Sequence, residues 1–387
     1  METLEQSTTT TDDRLAKKAK ISVPIEIVED ILSRLPVESI LRFRSVSKPW
    51  LSRISDPSFT KLHSTRSTRT ALFISAYDLS TRQHHILSAA THGGPVTHLF
   101  TVDDVSGYHI TAAQHLNGLV LITTPKSPSI YPYAYVVNPS TRKVLSLPHP
   151  DPSYLDDLDD ITSYSFGFDE STNEHKVFMI RKLREPTRFE IMIFSLSTRS
   201  WRKIDAEPPI GFSWDDMYFG HNPSVCVNSV IHLVFPDGLW SHILAFDLTT
   251  EVFSVINFPQ GALLDDYGLP SIIKTKGCIG IFRRMVENNE IHVWILQDYE
   301  NRVWVKEIFH TEPLTRKYMC YPEDFVNTDE IMGFPSKLSE NVMSVPVYNR
   351  KSGCFKSLQF TLGHRFPVSR KLRFTMVRSY DESMVPL

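Results

Sequence analysis

Residues 195–201 read SLSTRSW, and the chain writes variants of that phrase repeatedly. The same S-T-R triplet sits in YDLSTRQH at 80–82 and in VNPSTRKV at 140–142. Looser versions follow in FDLTTEVF (246–253) and YNRKSGCF (348–355). Anchors at Ser80, Ser140, Ser197, Thr249, Glu300 and Lys351 keep one phase. Two residues before each stands Asp78, Asn138, Ser195, Asp247, Asp298 or Asn349. These short side chains accept hydrogen bonds from the backbone two residues on and so start tight turns. Four residues after each stands His84, Val144, Trp201, Phe253, Trp304 or Phe355, five of them large and apolar. A polar turn-former followed at fixed distance by a strand-former predicts a hairpin.

The runs on either side fit that reading. AYVV (134–137), EIMIF (190–194), HILAF (242–246) and EIHVWI (290–295) precede the turns, while KVLSL (143–147) and VFSVI (252–256) follow them. Upstream lies a second pair of apolar runs, as in LNGLVLIT (116–123) and KGCIGIF (276–282), punctuated by Asn117-Gly118 and Lys276-Gly277. Four short strands in roughly 50 residues is the size of a kelch-like propeller blade. The expected fold is an all-β, roughly six-bladed propeller over residues 67–387. An open stack of blades leaves unpaired edges. The spare strand KLRFTMV (371–377) is therefore expected to complete the sheet that the hairpin after TALFIS (70–75) begins.

Residues 21–63 do not repeat: ISVPIEIVEDILSRLPVESILRFRSVSKPWLSRISDPSFTKLH. Pro24 suits a first helical position, and Glu26, Glu29 and Asp30 favour the positive end of the helix dipole. Ile25, Val28, Ile31, Leu32 and Leu35 fall at helical spacing, and Pro36 ends that helix. Val37, Ile40, Leu41, Val46, Trp50 and Ile54 form a second apolar set around a bend at Ser47-Lys48-Pro49. So short a segment hardly buries its own core, so its apolar faces are expected to meet the propeller or another protein. The result is an α+β multidomain chain: a polar tail (1–20) read as disordered, a three-helix domain (21–66), then the propeller.

Composition excludes several classes. The chain has 41 Lys+Arg against 44 Asp+Glu, a net charge of −3, and so no basic field of the kind a nucleic-acid binder needs. No apolar run reaches membrane-spanning length, and METLEQSTTTTDDRLAKKAK has no secretory apolar region. Lys17-Lys18-Ala19-Lys20 reads as part of a solvated tail, with a nuclear-import patch as the sharper alternative. Cys226, Cys278, Cys320 and Cys354 form no C-x-x-C pair, and scattered free thiols fit a reducing compartment, cytoplasm and/or nucleus. His84, His85, His92, His98, His109 and His115 lack metal-ligand spacing, and no cofactor is expected.

One feature of the loops suggests recognition. Asp103-Asp104, Asp156-Asp157 with Asp159-Asp160, Asp215-Asp216 and Asp265-Asp266 recur, followed by Glu323-Asp324 and Asp381-Glu382. Each pair reads as lying between one hairpin and the next repeat, and Tyr108, Tyr164, Tyr218, Tyr267 and Phe325 follow. An acidic, aromatic-rimmed face built from Asp104, Tyr108, Asp156, Asp157, Asp160, Tyr164, Asp215, Asp216, Tyr218, Asp265, Asp266 and Tyr267 suits a basic target segment. The plainer alternative is that connecting loops are simply polar. A glycosidase-like or sugar-binding propeller is the rival class. It needs an acid and a base facing each other across a pocket, whereas these carboxylates are neighbours in loops.

Residues 21–63 resemble an F-box, and the whole chain resembles the plant F-box proteins with an F-box-associated, kelch-like domain. The matching pieces are Pro24-x-Glu26, Ile31-Leu32, Leu35-Pro36, Val46-Ser47-Lys48-x-Trp50 and Asp56-Pro57-x-Phe59, then LNGLV, NPSTRKVLSLP, SFGFDESTNEHKV, AFDLTTEVF and WVKEIF. Val23 and Ile27 stand where the family often has Leu. The resemblance implies a non-catalytic, substrate-recognition subunit of a Skp–cullin–F-box ubiquitin ligase. Pro24, Ile25, Val28, Leu32, Leu35, Pro36, Ile40, Leu41, Val46 and Trp50 would meet the Skp-type adaptor and through it the cullin, and the propeller an unidentified protein target. A non-degradative F-box scaffold is the alternative within the same family.

Overall fold

The computed structural model describes residues 23–103, 112–123, 134–150, 161–183, 188–207, 209, 224–234, 242–262, 271–285, 287–310, 324–327, 330–333, 341–363 and 372–387. Four helices come first: α1 (Ile25–Leu32), α2 (Val37–Phe43), α3 (Lys48–Ile54) and α4 (Pro57–Arg66). The expected three-helix module is therefore a four-helix one. The extra helix has a local cause: Asp56 accepts the Ser58 N–H at 2.8 Å and Pro57 occupies the first helical turn. Ser47 caps α3 in the same way, accepting from the Trp50 N–H. Pro24 and Pro36 stand one position before α1 and α2, in non-helical conformation and without a side-chain cap.

The strands follow. β1 (Thr70–Asp78), β2 (Gln83–Ala90), β3 (Gly94–Pro95) and β4 (Thr97–Asp103) lead into the second blade, β5 (Ala112–Leu116), β6 (Leu119–Thr123), β7 (Ala134–Asn138) and β8 (Lys143–Ser146). The third blade is β9 (Ile161–Asp169), β10 (Glu174–Leu183), β11 (Arg188–Ser195) and β12 (Ser200–Ile204). The fourth is β13 (Ser224–Val227), β14 (Val230–Val234), β15 (His242–Asp247) and β16 (Phe253–Asn257). The fifth is β17 (Ser271–Thr275), β18 (Cys278–Met285), β19 (Glu290–Asp298) and β20 (Val303–His310). The sixth is β21 (Asp324–Asn327), β22 (Glu330–Met332), β23 (Val342–Asn349) and β24 (Cys354–Thr361), before the closing strand β25 (Leu372–Asp381).

Among the described residues these strands make six sheets, each with an antiparallel four-stranded blade of a propeller. The first blade runs β25-β1-β2-β4, with Thr70 opposite Asp381 and Asp78 opposite Leu372. The chain's last strand thus closes the ring against its first, as expected. β25 lies beside β5 and β21, so it is the innermost strand of its blade. A second latch was not visible in the sequence. β3 leaves the first blade to pair in parallel with the outer strand β24 of the sixth, with Gly94 opposite Phe360. Gly93 has no room for a side chain there, because a Cβ would stand 2.8 Å from the Gln359 carbonyl oxygen.

The core lies between blades. Phe178 of blade three packs at a tilt on Phe246 of blade four, ring centroids 4.5 Å apart, within a cluster that also takes in Leu119, Leu121 and Val136 of blade two. Each such fully buried side chain contributes about 2 kcal/mol of transfer free energy. The middle strands are apolar on both faces because both faces meet a neighbour, as in LVLIT of β6. Outer strands such as β20 and the second half of β24 alternate, with one side in water. Polar links stitch the ring across the same seams. His175 Nε2–H donates to the Leu116 carbonyl, Trp201 Nε1–H to the Pro148 carbonyl, and the Tyr348 hydroxyl to the His310 carbonyl.

Candidate functional site

The six repeated turns form as their residue types dictate. Asp78, Asn138, Ser195, Asp247, Asp298 and Asn349 each accept a backbone N–H two or three residues on. The residue four beyond each, Arg82, Arg142, Arg199, Glu251, Arg302 or Gly353, has φ between 52° and 68°. The shared chemistry of the turn is therefore an acceptor followed four residues on by a left-handed residue, a position that Arg fills in four of the six turns.

Five of these turns join the third and fourth strands of a blade, counted from the axis. The first does not. Since β25 supplies the innermost strand, the Asp78 turn joins the second and third strands and lies on the opposite face of the ring. The first S-T-R is thus outside the series that its local sequence suggested. Any hairpin accepts this turn, so its chemistry reports a hairpin but not which pair of strands it joins.

The other five turns, with the two-residue turns Asn117-Gly118, Asn228-Ser229 and Lys276-Gly277, define one face. The helical module is joined to that face. The end of β25 is there, and just beyond it the Glu382 N–H donates to the Arg69 carbonyl while a Glu382 carboxylate oxygen accepts the Val37 N–H at 3.2 Å. The acidic pair Asp381-Glu382 therefore belongs to the helical face and not to the loop series in which it was expected, because it ends an inner strand instead of leading into one.

Within the module, Leu32, Val37, Ile40, Ile54 and Phe59 form a small core, and Met384 from beyond β25 completes it. The apolar faces thus meet a segment of the propeller domain, one of the two outcomes expected. His63 is buried beside them, its Nε2–H donating to the Leu35 carbonyl at 3.2 Å, and burial lowers its pKa and keeps the ring neutral. Glu29 pairs with Arg53 at 2.7 Å, and Asp30 with Arg34 and Arg66.

This packing divides the ten residues expected at the adaptor contact. Leu32 and Ile40 are buried in the module's own core; Val28, Leu35, Pro36, Leu41 and Trp50 are half-buried, four of them against that core. Pro24, Ile25 and Val46 are exposed. Ile25 and Ile31 do not share the buried face with Val28 and Leu32. Instead Ile27 and Ile31 stand four residues apart along the other side of α1, 51% and 53% exposed, with Val23 exposed just before the helix and Leu51 exposed on α3. The signal for them was the excess of apolar residues on α1, more than one face against a small core can use.

The inner strands β5, β9, β13 and β17 all begin on the face away from the helices. The connections into them hold most of the acidic and aromatic candidates. Asp104, Tyr108, Asp156, Asp157, Asp160, Asp215, Asp216, Tyr218, Asp265, Asp266 and Tyr267 lie outside the described residues. Tyr164 alone is described. It sits inside β9, half-buried against the blade core near Trp201, and burial pushes its phenol up, so it is part of the ring wall. Of the early histidines, His85 and His98 share the Thr101 hydroxyl, while His115 Nε2 accepts the Gly118 and Asp381 N–H groups. Among the described residues no group of three or more His, Cys, Asp or Glu is placed to hold a metal ion.

A four-helix module fixed to the turn face of a six-bladed ring defines a two-domain propeller protein. Comparison with known families gives it a place. Residues 63–381 match the F-box associated beta propeller domain and residues 21–62 match the F-box domain, and the chain belongs to the F-box-associated propeller family. Its relatives include the Arabidopsis thaliana F-box protein CPR1, 25% identical over 79% of this chain and 77% of that protein. A second Arabidopsis thaliana protein, At3g10240, whose name also describes an F-box protein, is 27% identical over 73% of this chain and 71% of its own length. Among solved structures, TolB from Acinetobacter baumannii aligns over 81% of this chain and 66% of that one, at 12% identity and a TM-score of 0.47.

Proposed function

We propose that this chain is the target-recognition subunit of a Skp–cullin–F-box ubiquitin ligase. The observation that carries the reading is the pair Ile27 and Ile31 on one side of α1, with Val23 just before the helix, all exposed on an F-box whose own core is already closed. Exposed aliphatic side chains in a row at the end of a module suit a protein partner, and an F-box suits a Skp-type adaptor. Through the adaptor the chain would reach the cullin. It would do no chemistry itself: its contribution is to raise the effective concentration of a captured protein near the ubiquitin-charged enzyme. The target end is assigned to the face away from the F-box, where the connections carrying the acidic pairs enter the ring. Free Cys226, Cys278 and Cys354 among the described residues suit the cytoplasm or nucleus.

The test is co-purification with a Skp-type adaptor, comparing the wild type with Ile27→Asp/Ile31→Asp. Adaptor retained by the wild type and lost by the variant supports the reading; equal retention, or none by either, ends it. Ubiquitin transfer to a co-purified protein in a reconstituted ligase then separates a ligase subunit from a non-degradative scaffold, which would bind the adaptor and transfer nothing.

A further inference from the structure

We propose that residues 382–387 form an internal strut that sets the angle between the F-box and the propeller. The inference rests on the fold alone and lies outside the stretch matched to the propeller family, which ends at residue 381.

Successive residues of this segment engage opposite partners. Towards the F-box, Glu382 accepts the first N–H of α2, and Met384, 9% exposed, enters the core between Leu32, Val37, Ile40, Ile54 and Phe59. Towards the propeller, the Asn138 side-chain amide donates to the Ser383 and Val385 carbonyls at 3.1 and 2.8 Å. The Ser383 N–H donates to the Ser140 hydroxyl at 3.1 Å, and Val385 and Leu387 pack on the core of blades two to four. One turn of blade two therefore has two tasks. The Asn138 carbonyl oxygen of the side chain builds the hairpin by accepting from Ser140 and Thr141, and its amide group holds the strut. The turn Asn117-Gly118 leaves space for the same segment, since any side chain at Gly118 would meet Ser383.

The physical consequence is rigidity. Two domains joined through a short connection move relative to each other unless an apolar, hydrogen-bonded contact fixes them. Here the core of the smaller domain is completed by a side chain whose neighbours on both sides are bonded to the larger one. Tilting the F-box withdraws Met384 or breaks the Asn138 bonds.

Spin labels at Glu38→Cys in α2 and Arg302→Cys in the blade-five turn, in a full-length chain whose Cys278, Cys320 and Cys354 are Ser, would report the angle as an interspin distance. The otherwise intact chain is expected to give one narrow distribution. A chain ending at Asp381, and an Asn138→Ala/Ser140→Ala chain, are expected to lose it and give a broad one. Unchanged width and mean in both would overturn the strut. Should the shortened chain lose its F-box helices, the double variant decides alone, since it leaves Met384 in place: broadening supports the strut and an unchanged distribution overturns it. The readout needs neither adaptor nor target, so its failure is independent of the ligase reading.

Discussion

Gly118 and Ser383 are in contact across the join between blade two and the segment beyond β25: a Cβ built on Gly118 would stand 2.0 Å from the Ser383 Cβ. Gly118 also has φ +82°, so a side chain there is strained twice, by backbone and by neighbour. Gly261 has φ +79° with open space around it and isolates the backbone share. Gly261→Ala is expected to cost about 1 kcal/mol and Gly118→Ala about 2–4 kcal/mol in urea unfolding. Equal costs would mean that Ser383 yields freely.

His175 and His232 make the propeller acid-sensitive in a defined window. Burial lowers both to about 4. His175 donates to Leu116, and His232 shares a hydrogen bond with the Tyr299 hydroxyl at 3.0 Å. Both stay neutral in the fold, while the unfolded chain protonates near 6.5. The unfolded state therefore binds more protons between pH 6.5 and 4, and stability falls as pH drops through that interval and levels off below it. Each histidine is expected to account for on the order of 3 kcal/mol of the loss by pH 4. Denaturant titrations at stepped pH should show a shallower slope for His232→Gln; an identical slope would contradict the assignment.

Asp169 also loses its contribution on acidification, but at lower pH and because it stays charged in the fold. Burial alone would raise its carboxyl, but Lys176 at 2.6 Å and the Ser171 and Thr172 donors outweigh burial and hold it well below the usual range. Its contribution is present above about pH 4 and lost only as pH falls further. Asp169→Asn, which leaves Lys176 buried without its charge partner, is expected to cost about 3–5 kcal/mol at neutral pH. Loss of less than about 1 kcal/mol, the worth of an exposed pair, would show the site to be solvated.

Arg199 is held at φ 52° by its place in the turn. Glycine at that position removes the left-handed penalty of about 1–2 kcal/mol and pays back part of it as backbone entropy. Arg199→Gly is expected to raise the unfolding midpoint slightly, and Arg199→Val to lower it. The reverse order would show that the Arg side chain, not the backbone, matters at the third letter of S-T-R.

Two neighbours on α1 should separate folding from recognition. Leu32, 3% exposed, belongs to the F-box core, and Leu32→Ala is expected to cost about 2–5 kcal/mol. Ile31 is exposed, so Ile31→Asp should leave stability within about 0.5 kcal/mol while adaptor capture falls. Capture unaffected by Ile31→Asp but lost with Leu32→Ala would place the contact elsewhere on the module.

Much of the fold was legible because its signals are local. An Asp, Asn or Ser acceptor two residues before each anchor, and a strand-former four after, specify a hairpin wherever they occur. Repetition then specifies blades, and the spare strand 371–377 specifies closure. The capped starts at Ser47 and Asp56 are equally local, although the second was passed over in the expectation of three helices. The adaptor-facing residues were only half legible. Helical spacing puts Ile25, Ile31 and Leu32 among the apolar positions of α1, but a helix that is apolar on two sides does not say which side its own domain will cover.

By itself, the sequence determined the blade, the hairpin turns and the helical module, since each depends on residues within a few positions of one another. Only the tertiary structure decided that the first S-T-R turn lies on the other face, that Gly94 latches blade one to blade six, and that Met384 completes a core more than 300 residues away. Those outcomes depend on which surfaces meet when the ring closes. Contacts between distant segments are chosen by the shape and burial of the whole, and no local pattern encodes them.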